Sequence, residues 1–244
     1  MESNFRIEKK IKVQKFHSPF VEQLSTSGQN RWVFTDIHGH YHHFRALLEA
    51  IKYRGDGQLI FLGDYTDRGP HVEQVISHVK KLQESYGPDK IIALQGNHED
   101  MLCDYYQAEK NEKFPRQILF DSKISSELEN HIDWLNQLPF IHTDQDFHYV
   151  HGGINPNRDT NNQEKDQVLW LRPTDIPLPQ KGPEKPVICG HTPTSLLNSK
   201  GTKPNDIHID QKRNIICLDT GCYFTGVLTT LNVSTGEYWQ TVEK

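Results

Sequence analysis

The chain has four cysteines, Cys103, Cys189, Cys217 and Cys222, and no two are spaced C-x-x-C. Free thiols in a reducing cytoplasm are the expected state. None is followed by arginine six positions on, which excludes a Cys-x5-Arg thiolate phosphatase loop. A G-x4-G-K-[ST] phosphate loop is missing too. No apolar stretch approaches membrane-spanning length, and Met1 to Arg6 leads into charged residues without an apolar signal core. A cytoplasmic location with no membrane partner is the expectation. The formal net charge is −5, so the basic excess of a nucleic-acid footprint is lacking, and no nucleic-acid partner is expected. No internal repeat or low-complexity tract breaks the chain.

At 244 residues the chain suits one domain with a full core. Residues 1–30 are polar and weakly patterned; they read as an N-terminal extension in which Ile7, Ile11, Val13 and Phe16 could form an edge strand. Residues 31–244 read as the domain proper. Short apolar runs at Trp32–Phe34, Leu59–Leu62 and Ile91–Leu94 read as buried strands. Helical stripes follow them: Tyr41, Phe44, Leu47, Leu48, Ile51; then Val72, Val75, Ile76, Val79, Leu82; then Met101, Leu102, Tyr105, Tyr106. Pro70 is expected at the first helical position of the second. Leu128, Ile132, Leu135 and Leu138 make a further stripe. Residues 109–123 read as a connection, 155–167 as a loop, and Pro173 to Pro186 as irregular. The last quarter reads as strands, with a hairpin turning at Ser234-Thr235-Gly236. Strands alternating with helices, then a strand-rich end, predict an α/β fold: two mixed sheets with helices outside, in four α/β/β/α layers.

Polar clusters sit at successive strand ends. They are Thr35-Asp36-Ile37-His38-Gly39, Gly63-Asp64-Tyr65-Thr66-Asp67-Arg68-Gly69, Gly96-Asn97-His98-Glu99, His151-Gly152-Gly153 and Gly190-His191-Thr192-Pro193. In open parallel sheets the ligand crevice lies at the carboxyl ends of strands. Asp36 and His38 alternate, so in extended chain they face one side. Together Asp36, His38, Asp64, Asn97, His151 and His191 offer carboxylate, amide and imidazole ligands. That set is too large for one tetrahedral zinc and suits two ions sharing a bridging carboxylate, with Asp64 as the bridge. Mixed imidazole and oxygen ligands favour Mn, with Fe or Zn as alternatives. Two such ions form a clamp for in-line displacement at phosphorus. Any one of these residues alone would read as a cap or a turn. His40, His42 and His43 fall at a helix start and read as solvated or supporting, and His148 as structural.

The ordered motifs resemble those of the calcineurin-like metallophosphoesterases over about residues 31–233. The resemblance is closest to the phosphoprotein phosphatase branch, with its GD-x-H-G, GD-x-x-DRG, GNHE, HGG and GH pattern. The compact length and the Asp219-Thr220-Gly221 segment look more like bacterial and bacteriophage members. The resemblance implies that Asp36, His38 and Asp64 hold one divalent ion, and Asp64, Asn97, His151 and His191 a second. It implies direct attack on phosphorus by a hydroxide bridging the ions. His98 would be the general acid and Asp67 its hydrogen-bonding partner. Arg68, Arg172 and Asn97 would bind the phosphoryl group, Arg172 through a Trp-x-Arg-like segment. Glu99 would support the loop. Thr35 stands where the family has glycine, and Thr66 where valine is common, a nearly isosteric change.

The implied activity is a protein serine/threonine phosphatase-like phosphomonoesterase acting on a phosphorylated protein or small phosphoester. The alternative is a symmetrical diadenosine tetraphosphatase, whose members tend to lack the second aspartate of the DRG motif and to carry GNHD. A catalytically silent phosphate-binding module is disfavoured, because no ligand and no acid is missing.

Overall fold

A computed structural model describes residues 11–110, 126–178, 185–199, 203 and 205–242. The strands are β1 (Lys12–His17), β2 (Arg31–Phe34), β3 (Gln58–Phe61), β4 (Ile91–Ala93), β5 (Ile141–Thr143), β6 (His148–Val150), β7 (Val187–Cys189), β8 (His208–Asp210), β9 (Ile215–Cys217), β10 (Thr229–Asn232) and β11 (Glu237–Val242). The helices are α1 (Pro19–Glu22), α2 (Tyr41–Ile51), α3 (Val72–Tyr86), α4 (Asn97–Lys110), α5 (Ser126–Glu129), α6 (Ile132–Asn136), α7 (Lys165–Trp170), α8 (Thr194–Leu197) and α9 (Cys222–Thr225). One mixed sheet has the order β1-β11-β10-β2-β3-β4, the other β5-β6-β7-β9-β8. β2, β3 and β4 run parallel in the first, and β6, β7 and β9 in the second.

Alternation along the strands builds the layers. Trp32, Phe34, Leu59 and Phe61 face a core shared with α2, α3 and α6, while Val33, Ile60 and Leu62 face the second sheet. On that sheet Tyr149, Ile188 and Ile216 face inward. Val150, Val187, Cys189, Ile215 and Cys217 face a third cluster with Val168 of α7 and Leu197 of α8. A side-chain period of two therefore gives each sheet two buried faces. The result is the expected pair of mixed sheets flanked by helices.

Some details differ from the sequence reading. α3 begins at Val72 with His71 as its N-cap, and Pro70 lies in the preceding turn. The reason is local: Asp67 and Arg68 both have positive φ, so the chain is still turning. The 155–167 stretch contains the start of α7, and α8, α9 and β5 carry no strong periodic signal because each is only three or four residues long. β1 pairs with β11 in full register at the sheet edge. Ile7 and residues 111–125 and 179–184 lie outside the described residues.

Candidate dinuclear metal centre

Asp36, Asp64 and Asn97 sit just past β2, β3 and β4, and His151 and His191 just past β6 and β7. Parallel strands from both sheets thus end at one place. Asp36 and His38 are not in extended chain. Both have positive φ, and the loop is held by His38 N–H donating to the Asp64 carbonyl at 2.8 Å and Gly39 N–H to the Tyr65 carbonyl at 3.0 Å. Backbone bonds between the two loops, not strand alternation, aim the ligands. Thr35 takes part as well: its hydroxyl donates to Asp36 Oδ2 at 2.5 Å.

The Asp64 carboxylate faces two ways. Oδ2 lies 3.3 Å from His38 Nε2, and Oδ1 lies 3.3 Å from His151 Nε2. Asp36 Oδ1 is 4.0 Å from His38 Nε2. On the other side, Asn97 Oδ1 lies 2.7 Å from His151 Nε2 and 3.0 Å from His191 Nδ1. The other ring nitrogens are fixed by the fold. His38 Nδ1 donates to the Thr66 carbonyl at 2.7 Å, and His151 Nδ1 to the Leu62 carbonyl at 3.1 Å. Each Nε2 is then left with a lone pair aimed at the acids, as a metal ligand requires.

The electrostatics point the same way. Burial first, then the charges of Arg68 and His98, holds His38 well below the ordinary histidine range. Burial likewise lowers His151, and His191 falls to about 3 through burial and the nearby His151 and Arg172. Neutral imidazoles are what a cation needs. The acids are pushed upward: Asp64 by burial and by Asp36 against the pull of His98, and Asp219 by burial and by Asp36. Mutually repelling buried carboxylates and neutral imidazole lone pairs together fit divalent cations.

Around this centre, His98 Nδ1 lies 2.6 Å from Asp67 Oδ2. Burial opposes a charge on His98, but Asp64 and the Asp67 hydrogen bond outweigh it and raise its pKa. Arg68 Nη1 reaches His38 Nε2 at 2.8 Å, and Nη2 reaches His98 Nε2 at 3.1 Å. Arg172 is exposed and close enough to His191 to lower its pKa. Glu99 is fully buried and accepts from the backbone N–H groups of Asp64, Tyr65, Thr66 and Gly96 at 2.7, 2.9, 3.1 and 2.9 Å. Thr66 is more than an isostere of valine, since its hydroxyl donates to Glu99 Oε1 at 3.0 Å. Asp219 does accept from Gly221 N–H in a turn, at 2.8 Å, yet it also lies beside Asp36.

Other histidines fall elsewhere. His43 is buried, not solvated, and its Nδ1 meets the Thr241 hydroxyl at 2.9 Å, because the first turn of α2 packs on β11. His148 meets the Thr143 hydroxyl at 2.8 Å across the β5–β6 pair. Tyr223 was missed in the sequence: its ring lies 4.2 Å from Arg68 Cζ and 6.0 Å from the His38 ring. The signal available was its place two residues after Gly221, at the end of the segment that follows β9. No described helix is long and apolar enough to cross a membrane.

Comparison with known proteins agrees with this geometry. A symmetrical bis(5'-nucleosyl)-tetraphosphatase of Nitrosospira multiformis is 30% identical over 125 residues, 50% of this chain and 42% of that one. Its counterpart in Erwinia tasmaniensis is 30% identical over 132 residues, 52% of this chain and 46% of that one. The aligned part therefore spans less than half the length of these relatives. Among solved structures, a candidate diadenosine tetraphosphatase superposes with a TM-score of 0.63 at 20% identity, covering 89% of this chain and 95% of that one. A serine/threonine phosphatase of Saccharomyces cerevisiae superposes with a TM-score of 0.57 at 16% identity, covering 92% and 87%. At these identities the superpositions speak for the fold alone. The model of the calcineurin-like phosphoesterases matches residues 30–220, most of the chain and every strand end described above, and the chain belongs to that family.

Proposed function

We propose that the protein is a metal-dependent phosphoesterase that cleaves dinucleoside tetraphosphates symmetrically. The observation that carries the metal-dependent chemistry is the Asp64 carboxylate, whose two oxygens face histidines of two separate ligand groups. The substrate class is supported by the tetraphosphatases that align with half of the chain. Asp36, His38 and Asp64 would hold one divalent ion, and Asp64, Asn97, His151 and His191 the other. Manganese is the first expectation. When bound, such a pair activates water and stabilises an in-line displacement at phosphorus.

The chain's own residues do the rest. The Arg68 N–H groups donate to the His38 and His98 ring nitrogens. An incoming phosphoryl oxygen is a stronger acceptor, so Arg68 turns its fork to the substrate and releases those lone pairs. Arg172 approaches from the His191 side. Once freed from Arg68, His98 Nε2 takes up a proton from solvent; Asp67 on Nδ1 favours the resulting imidazolium, which delivers that proton to the leaving oxygen.

The short His98–Asp67 contact favours a second reading, a phosphomonoesterase of the protein phosphatase type, because the family resemblance ties that aspartate to the phosphatase branch. Side-by-side rates with manganese on diadenosine tetraphosphate and on a phosphoserine and phosphothreonine peptide panel separate the two. Faster turnover of the dinucleotide, with ADP as the sole nucleotide product, is expected. Efficient peptide turnover with an inert dinucleotide would replace the first reading by the second.

A further inference from the structure

The large apolar side chains exposed among the described residues are Trp170, Leu178, Leu196, Tyr223 and Phe224. All three aromatic members stand around the metal centre. The Trp170 ring lies 5.9 Å from the His191 ring, nearly perpendicular to it at 82°. The Tyr223 ring lies 6.0 Å from the His38 ring at 80°, and Phe224 packs on Tyr223 at 4.7 Å. These residues are 46%, 44% and 52% exposed. Exposed aromatic surface is unfavourable in water, so a group of three around one polar site points to a ligand with flat apolar parts.

Their placement is two-sided. His38 and His191 belong to the two different ligand groups, which meet at Asp64. Trp170 ends α7 behind one of them, and Tyr223 and Phe224 lie on α9 behind the other. Gly221, with φ 71°, starts α9 under the Phe224 ring; a Cβ there would lie 2.3 Å from that ring, so the glycine lets the pair pack close to the centre. A phosphoserine side chain carries no aromatic group of its own. A symmetrically cut dinucleoside tetraphosphate presents two equal halves, one on each side of the scissile bond, each carrying a base.

We propose that Trp170 on one side and the Tyr223–Phe224 pair on the other are stacking walls for the two nucleobases of the substrate. The inference rests on the dinucleotide reading above for its two-base form. Base stacking on an aromatic side chain is worth about 1–3 kcal/mol, or about five- to 150-fold in affinity.

The test compares diadenosine tetraphosphate with inorganic tetraphosphate, which has the same phosphorus chain and no bases, both with excess manganese. Trp170→Leu and Phe224→Leu should each raise KM for the dinucleotide about tenfold and leave KM for inorganic tetraphosphate within about twofold. Trp170→Phe should restore most of the loss, because it keeps a stacking face. Equal losses on both substrates, or no loss on either, would overturn the walls while leaving the dinucleotide reading intact. If the wild-type protein does not cleave the dinucleotide, that reading fails separately. Calorimetric titration then decides on the walls alone: ADP should bind about tenfold more tightly than pyrophosphate, and Trp170→Leu or Phe224→Leu should erase that advantage. Equal binding of ADP and pyrophosphate to the wild type would reject them.

Discussion

Eight described residues other than glycine have positive φ, and six of them are Asp36, His38, Asp64, Asp67, Arg68 and His191. Side chains with a Cβ adopt this conformation at a cost of order 1 kcal/mol each. Such residues persist only where neighbours over-determine them, and here Glu99 gathers four backbone N–H groups of the surrounding loops. The strain is held where chemistry needs side chains to converge. His98 is the residue whose proposed role as general acid is most sharply testable. Substituting His98→Asn should lower kcat by about two to four orders of magnitude, the usual worth of general acid catalysis. Manganese stoichiometry should stay unchanged, since no candidate ligand is replaced and the backbone N–H at position 98 still donates to Asp64 Oδ1 at 3.1 Å. Full turnover in that variant would remove His98 from the mechanism. The motif residues were legible in the sequence because each cluster is a few residues long and ends a strand. The Thr35 and Thr66 hydroxyls were not, because their partners depend on backbone conformations that no spacing rule encodes.

At the level of elements, the parallel strands were legible from alternation, but the joint between the two sheets was not. That joint consists of close contacts across loops distant in sequence. His191 N–H donates to Asp36 Oδ2 at 3.0 Å, and a Cβ on Gly190 would lie 2.1 Å from that same oxygen and 2.1 Å from Thr35 Oγ1. The glycine after β7 is therefore required for the carboxylate after β2 to sit where it does. Gly190→Ala should push Asp36 away from the centre. Manganese affinity, read by calorimetry, should fall at least about tenfold, the lower range for disturbing a ligand's support. Far-ultraviolet circular dichroism should not change, because no strand interior is touched. An affinity within twofold of wild type would mean that Asp36 relaxes freely and that the packing does not position it. The short helix α9 escaped the sequence reading for a related reason: four residues give no period, and its register is set by Gly221 and Gly226 at its two ends.

Across the whole molecule, the strands that end at the candidate metal centre begin near a second buried polar cluster. Arg31, at the start of β2, is 1% exposed. It bonds Asp144 and Asp146 ahead of β6, the latter at 2.7 Å, and Ser25 at 2.8 Å. The Thr26 hydroxyl also donates to Asp146 at 2.5 Å, and the Tyr149 hydroxyl to Asp144 at 2.8 Å. The N-terminal segment and both sheets are thus tied at the end opposite the site. The two carboxylate partners of Arg31 are more than a hundred residues away, so nothing in its own neighbourhood announced the ion pairs. Burial alone would raise the Asp146 pKa, but the Thr26, Arg31 and Ser27 hydrogen bonds outweigh it and hold the carboxyl well below the ordinary range. A carboxylate whose folded pKa is depressed contributes stability that is complete above its unfolded value, about 3.9, and is lost as pH falls below it. Asp146→Ala should cost about 3 kcal/mol at pH 7, because the buried Arg31 loses the buried one of its two carboxylate partners. Between pH 4 and pH 3 the gap in urea midpoint between wild type and variant should begin to close, since the wild-type protein alone forfeits that contribution. A gap that stays constant from pH 7 to pH 3 would show that Asp146 stabilises the fold through packing and neutral hydrogen bonds, and that its charge plays no part in tying the two sheets together.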